Sequence, residues 1–313
     1  MHQNDQATPP LHTIDIKRLR IFKTVVECGG FSAAESTLGI GRSTISKHIA
    51  DLETRLSIRL CERGRTGFRV TSYGKTVYQA ILELLDAHDQ FRSQITATKQ
   101  KLSGTLRLWV MDHSPFEHNT PVATAIKKFK KRPGEVNIKL NSASPEATEE
   151  AVLTRQASIG VTISNNRLPT LTYKIIGSES TSFYCASNHY FGDHRIEHIT
   201  DKHFSHIDYV TRGYLHNRDE IIQKKWKSSA VAAHVESLLL LILSGEYIGV
   251  LPEHIASPWV AAGKIIKLTS DIPLSSQPIY IVFRQQTSLI PSISAMLEDI
   301  TSSYELGSER GIT

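Results

Sequence analysis

Between Phe31 and Leu56 two short helical patterns stand on either side of the turn Gly39-Ile40-Gly41. Ile45, Ile49, Leu52 and Leu56 fall on one stripe of a 3.6-residue helix. Ahead of them, Ser32 is expected to cap a shorter helix whose inner face is Ala33, Ala34 and Leu38, and Gly39 supplies the left-handed break that ends it. The polar face of the second helix gathers Arg42, Ser43, Thr44, Ser46, Lys47 and His48 in its first two turns, with no acid before Asp51. Such donors reach phosphates and base edges when a helix lies in a DNA major groove. The spacing predicts a helix-turn-helix, although any two helices joined by a glycine turn share it, so the flanking residues decide the reading.

Before the pair, Ile16, Leu19, Phe22, Val25 and Val26 form the apolar side of a supporting helix over Ile14 to Glu27. After it, Arg59 to Gly74 is a basic hairpin punctuated by glycines, in which Arg63, Arg65, Thr66 and Arg69 suit a wing gripping the DNA backbone; Ser32 joins them as a contact from the first helix. Here the chain resembles the LysR-type transcriptional regulators. The resemblance rests on Leu19-Arg20-Ile21-Phe22, Gly30-Phe31-Ser32-Ala33-Ala34, Leu38, Ile45-Ser46-Lys47-His48-Ile49, Leu52-Glu53, Leu56, Leu60, Glu62-Arg63 and the Thr71 to Gly74 wing exit. Two positions depart from the family pattern. Gly41-Arg42 replaces the usual Ser-Gln, which implies a different operator preference, and Cys61 replaces the usual Phe, which thins the packing beneath the wing.

Charge is distributed in keeping with a polyanion partner. Residues 1–104 hold 15 Lys+Arg against 10 Asp+Glu, which leaves 36 − 15 = 21 bases and 31 − 10 = 21 acids for residues 105–313, so the net +5 lies in the first third. The 313 residues, 40% of them hydrophobic, suffice for two or three cores. No arginine-tipped leader opens the chain and its longest purely apolar run is Leu238 to Leu243, so a soluble, cytoplasmic protein without membrane association is expected. Cys28, Cys61 and Cys185 are too few and scattered for a disulfide framework or a thiolate metal site, and only Cys185 lies in the later part of the chain, which leaves no two-cysteine switch there.

In chain order, the polar, proline-containing residues 1–13 read as a flexible arm and 14–72 as the winged helix-turn-helix domain. Over 73–100, Val77, Ile81, Leu84, His88, Phe91 and Ile95 alternate by four and three residues, which describes the seam of a long dimerisation helix; packing of the stripe on its own domain is the competing reading. Residues 101–104 read as a hinge. Beyond them, apolar runs at Thr105 to Met111, Val136 to Leu140 and Ile159 to Ile163 alternate with helical patterns at Pro121 to Lys131 and Pro145 to Arg155, implying a parallel sheet flanked by helices. Strands are expected again at Ser182 to Ser187, His206 to Thr211, Ala230 to Val235, Tyr247 to Leu251 and Ile279 to Arg284, with helices at Glu236 to Ser244 and Ile290 to Tyr304. Gly104-Thr-Leu-Arg-Leu and the turn Gly245 to Pro252 resemble the LysR-type sensor domain, a two-lobed α/β fold similar to periplasmic binding proteins. That resemblance places the effector-binding domain at 105–306, with lobe one at about 105–164 and 285–304, lobe two at about 165–284, and a tail at 307–313.

Ligands of open parallel sheets lie beyond the carboxyl ends of the strands. The expected strand ends carry Asp112, His113, Ser114, Ser142, Ser144, Thr211 and Arg212, and the turn before the next helix carries Glu236 and Ser237. Small hydroxyls and helix amides favour an anion, with Arg212 as a carboxylate clamp, while ordinary capping by Ser114, Ser144 and Ser237 is an equal reading. Adjacent Asp112, His113 and Ser114 point in alternate directions on an extended chain and do not form a hydrolase triad. No Gly-x-Ser-x-Gly, phosphate loop or His-Glu-x-x-His occurs. His189, His194, His198, His203 and His206, with Asp201, match no common metal spacing and read as surface histidines, so neither a metal nor a cofactor is expected.

The resemblance implies a sequence-specific transcriptional regulator: a homodimer or homotetramer that binds a double-stranded operator, answers a small effector between its sensor lobes, and has RNA polymerase as a further partner. The alternative from the residues is an enzyme or solute-binding module carrying a DNA-binding domain.

Overall fold

The structure, a computed structural model, describes residues 12–64, 67–97, 101–112, 121–164, 167–194, 196, 198–200, 203, 207–213, 228–271, 274 and 276–309. The chain forms two compact units, residues 1–89 and 90–313.

In the first unit, helices α1 (Thr13–Glu27), α2 (Phe31–Leu38) and α3 (Arg42–Leu56) precede a hairpin of β1 (Cys61–Gly64) and β2 (Gly67–Val70), and α4 (Ser72–Ala97) follows. The predicted stripe is the core: Ile45, Ile49 and Leu52 are buried with Leu19, Phe22, Val25, Phe31, Ala34, Leu60 and Cys61. Gly39 ends α2 in the left-handed conformation, φ +64°. Ser32 does not cap that helix. Gly30 occupies the N-cap with φ +152°, Ser32 lies exposed inside the first turn, and Phe31 rather than the exposed Ala33 fills the inner face. Of the arm proposed for residues 1–13, only His12 and Thr13 lie within the described residues, and Thr13 already opens α1.

Helix α4 divides the two readings offered by its stripe. Tyr78, Ile81, Leu82 and Leu85 are buried in the first unit's core, with Val77 and Leu84 packed against it, so this half of the stripe is used within the chain. Phe91 and Ile95 are 63% and 54% exposed, and His88 is exposed beside Asp89.

The second unit holds two sheets. The first has strand order β4-β3-β5-β13-β6, from β3 (Leu102–Met111), β4 (Gly134–Ala143), β5 (Ile159–Ile163), β6 (Thr172–Glu179) and β13 (Gln277–Phe283). Helices α5 (Pro121–Phe129) and α6 (Pro145–Leu153) link β3, β4 and β5, which run parallel as the alternation predicts; β13 is antiparallel to both β5 and β6, so the whole sheet is mixed. Residues 102–104 are no hinge. They belong to β3 and pair in unbroken register with Gly134 to Val136.

The second sheet has order β10-β9-β11-β7-β12-β8, from β7 (Thr181–Ala186), β8 (His198–Ile199), β9 (Asp208–Arg212), β10 (Ser228–Ala232), β11 (Tyr247–Pro252) and β12 (Ile265–Ser270). Among the described residues its helices are α7 (Tyr190–Asp193), α8 (Val235–Leu243) and α9 (Glu253–Ala261); a 3₁₀ turn at Gln285–Leu289 and α10 (Pro291–Glu309) follow on the first lobe, α10 packing against α5. The lobe boundaries shift accordingly. Residues 172–179 and 277–283, expected in lobe two, are strands of lobe one, and α10 runs into the proposed tail at 307–313. The two crossings between lobes lie together, because Gln277 pairs with Glu179 and Ser276 Oγ donates to the Glu179 carbonyl at 3.1 Å.

Candidate nucleic-acid interface and interlobe cleft

Helix α3 presents Arg42, Ser43, Thr44 and Lys47 as exposed side chains over its first two turns, with Ser46 and His48 half-buried on the flanks. Its N-cap is Gly41, which has no side chain to offer the free amides of the first turn. Glu35 of α2 supplies the acceptor instead: its Oε1 lies 2.5 Å from the Arg42 nitrogen. The helix that carries the candidate base contacts is thus pinned to the helix before it.

The wing is anchored from both sides. Glu53 Oε1, near the end of α3, accepts the backbone N–H groups of Leu60 and Cys61 at 2.8 and 3.1 Å. Across the hairpin, Phe68 packs edge-on against Phe31 with ring centroids 5.5 Å apart, a contact of about 0.5–1.5 kcal/mol beyond its burial. Between wing, α2 and α3 lies a concavity of about 400 Å³, lined among others by Gly30, Ser32, Arg42, Ser46 and Phe68. Arg69 is exposed on β2 and Arg63 lies on β1, while Arg65 and Thr66 lie outside the described residues. Ser32, Arg42 and Ser46 give this groove polar donors on the helix side, and Glu62 sets one carboxylate against them on the wing side.

Beneath this surface, Asp15 ties α1 to α3. Its carboxylate is fully buried, accepts the His12 N–H at 2.8 Å, and meets Arg55 Nε at 2.7 Å and Arg18 at 3.5 Å; Arg18 in turn reaches Asp51 at 2.8 Å. The His12 amide foremost, and then Arg55 and Arg18 against the opposing effect of burial, hold the Asp15 carboxyl below the usual carboxylate range.

In the second unit the register brings the expected strand ends together lobe by lobe. Met111 pairs with Ala143, which sets Asp112 beside Ser144, and Ala232 pairs with Arg212. Ser144 is a capping residue: its Oγ accepts the Ala147 N–H at 3.3 Å at the start of α6. Thr211 turns into the sheet, its hydroxyl 3.1 Å from Ser228 Oγ and 3.4 Å from the Ala230 carbonyl. Arg212 is 3% exposed, so it is embedded rather than open at the strand end. Ser142 is an exposed residue within β4, and Glu236 and Ser237 lie exposed inside the first turn of α8 rather than in the turn before it. His113 and Ser114 lie outside the described residues. The residue that sequence reasoning missed is His234, at the N-cap of α8, whose Nδ1 lies 2.9 Å from Asp112 Oδ2 and so joins the two lobes.

The histidine stretch is engaged locally. His189 Nδ1 accepts the Phe191 N–H, His203 Nδ1 accepts the Thr200 N–H, and His198 lies 2.9 Å from Thr269 Oγ1 and 3.3 Å from Asp271. His206 and Asp201 lie outside the described residues, and among the described residues no cluster of three or more metal-ligating side chains occurs. Burial pushes the Cys185 thiol up to about 12, which removes its nucleophilic character at neutral pH. Among the described residues no helix is long and apolar enough to cross a membrane.

Residues 16–75 match the bacterial regulatory helix-turn-helix protein, lysR family, and residues 99–304 match the LysR substrate binding domain. The chain is 37% identical over 252 residues to the HTH-type transcriptional activator BauR of Pseudomonas aeruginosa, covering 80% of this chain and 83% of that protein. It is 24% identical over 278 residues to the HTH-type transcriptional activator TtdR of Escherichia coli, covering 86% and 87%. Among solved structures, a full-length OxyR variant from Pseudomonas aeruginosa superposes with a TM-score of 0.67 at 17% identity over 95% of this chain and 96% of that one. Full-length CbnR in complex with its target DNA gives 0.62 at 16% identity over 92% and 99%. At these identities the two structures establish the fold alone. The matched relatives are regulators, which sets aside the reading as an enzyme or solute-binding module fused to a DNA-binding domain.

Proposed function

The chain belongs to the LysR family of bacterial transcriptional regulators, with a helix-turn-helix unit and an effector-binding domain, and from that premise we propose how its residues divide the work. Arg42, Ser43, Thr44, Ser46, Lys47 and His48 read and hold the operator from α3. Ser32, Arg63, Arg65, Thr66 and Arg69 grip the backbone beside it. The observation that carries this reading is the exposed run of donors at the start of α3 next to a wing fastened by Phe68 and Glu53. Sequencing the DNA fragments that co-purify with the full chain tests it: a shared motif among them supports the reading, and random fragments contradict it.

The active species is a dimer held by Phe91 and Ile95 of α4, the seam residues that stand exposed among the described residues. A homotetramer forms by pairing such dimers. Acting on chromosomal DNA, the protein works in the bacterial cytoplasm, with RNA polymerase as its downstream partner. The relatives BauR and TtdR are named activators, which supports activation as the output here.

The effector is a small carboxylate-bearing molecule bound between the lobes near Asp112, Ser144 and Arg212. The amide ends of α6 and α8 favour an anion there, while Arg212, embedded at the end of β9, supports them from within the second lobe. A panel of carboxylates tested for a rise in the melting temperature of the full chain addresses this, because a ligand that binds only the folded state stabilises it by mass action.

A further inference from the structure

Asp112 follows the carboxyl end of β3 in the first sheet, and His234 follows the carboxyl end of β10 in the second, so their 2.9 Å contact spans the lobes. The carboxylate only accepts, hence Nδ1 donates. The Asp112 side chain is 9% exposed and the His234 side chain 51%.

Its position in each sheet gives the contact leverage. Strand β6 runs parallel to β3, since both are related through β5 and β13, so the crossing at Glu179 lies at the same end of the sheet as Asp112. With order β4-β3-β5-β13-β6, Asp112 stands three strands from that crossing. In the second sheet β7 is antiparallel to β11, so the start of β7 at Thr181 lies at the carboxyl ends of β11, β9 and β10; with order β10-β9-β11-β7, His234 also follows a strand three places from the crossing. Strands are about 4.8 Å apart, so the contact sits about 14 Å from the crossing in both lobes. A hinge rotation of about 10° at the crossing would then move the partners apart by about 2.4 Å, enough to break a hydrogen bond.

We propose that the His234–Asp112 hydrogen bond is a latch that fixes the closure of the two lobes in the ligand-free chain, with His234 as a positioning residue for the effector response. The proposal rests on the reading that effectors act between these lobes, but the latch itself is a property of the protein without ligand. An effector that enters between the lobes must act on a cleft whose width this bond already sets.

The test is a distance measurement between spin labels at Lys139→Cys, exposed on β4, and Ala262→Cys, exposed after α9, in a full-length chain carrying Cys28→Ser. Labelled chain is diluted with unlabelled chain so that only distances within one protomer are read. His234 is half exposed, so its truncation leaves the buried face of α8 intact. His234→Ala is expected to broaden or lengthen the distribution by a few Å, in line with the leverage above. His234→Asn places an amide N–H where Nδ1 stood and is expected to restore the wild-type distribution, whereas His234→Gln reaches past it and is not. An unchanged distribution in His234→Ala overturns the latch, as does failure of His234→Asn to restore it. If His234→Ala widens the distribution while no small carboxylate alters it in the wild type, the latch stands and the effector reading falls.

Discussion

Glu35 and Arg42 meet through a side chain and a main chain: the carboxylate of one accepts the backbone N–H of the other at 2.5 Å, where α3 begins without a capping side chain of its own. The Gly41-Arg42 departure from the family pattern is therefore matched, one helix earlier, by an acid that takes over the cap.

Glu35→Ala should destabilise the first unit by about 0.5–2 kcal/mol, the usual cost of losing an N-cap. Gly41→Ser, which restores a capping hydroxyl, should recover most of that loss in the double variant. Urea unfolding followed by circular dichroism measures both; an Ala variant as stable as the wild type would show that the contact does not cap α3.

Asp15 gives the first unit an acid-labile joint. Its folded-state pKa is lowered, so the stability it contributes is fully present above the unfolded value of about 3.9 and is lost as pH falls through the lower folded value. Asp15→Asn should lower stability at neutral pH and flatten the pH dependence below about pH 4, where the wild type progressively loses the same contribution. Melting temperatures of the two chains that stay equally far apart from pH 7 to pH 2 would deny Asp15 this role.

Phe91→Asp with Ile95→Asp should give a monomer at micromolar concentration, because each carboxylate would be forced into an apolar seam without a partner. Leu84 is not the right target, since it packs on its own unit. Sedimentation velocity reads the result directly, and a dimer or tetramer surviving both substitutions would assign assembly to other surfaces.

Lys47→Ala should weaken binding to all duplexes about equally and reduce the salt slope by about 1, as expected for loss of one phosphate contact. Titrations across a series of salt concentrations measure the slope. An unaltered slope would place Lys47 off the DNA.

Much of the fold was legible because its signals are local. The Ile45, Ile49 and Leu52 stripe repeats with the helical period, and Ile159–Ile163 is a strand buried on both faces, which reads as an unbroken apolar run. Strand β6 hides because its exposed and covered residues do not alternate, α9 because Pro258 interrupts it, and β12 because only Ile265 and Leu268 are buried. The sites divide the same way. The donors of α3 follow one another in sequence, whereas Glu35 capping Arg42 and His234 reaching Asp112 across 122 residues depend on tertiary pairing that carries no motif. Ser32 is not the cap because Gly30, with φ +152° against Phe68, sets the entry to α2 in a way that no side-chain preference announces.

Selection of duplexes from a random pool by the wild type and by Arg42→Gln tests whether α3 reads bases, with Arg42 among the readers. Arginine pairs bidentately with guanine and glutamine with adenine, a discrimination of about 1–3 kcal/mol per contact. The wild type is expected to enrich a motif with two related half-sites, and Arg42→Gln to enrich the same motif with a guanine preference lost or changed to adenine at the matching position of each half. Identical motifs from both proteins, or no motif from the wild type, would contradict it.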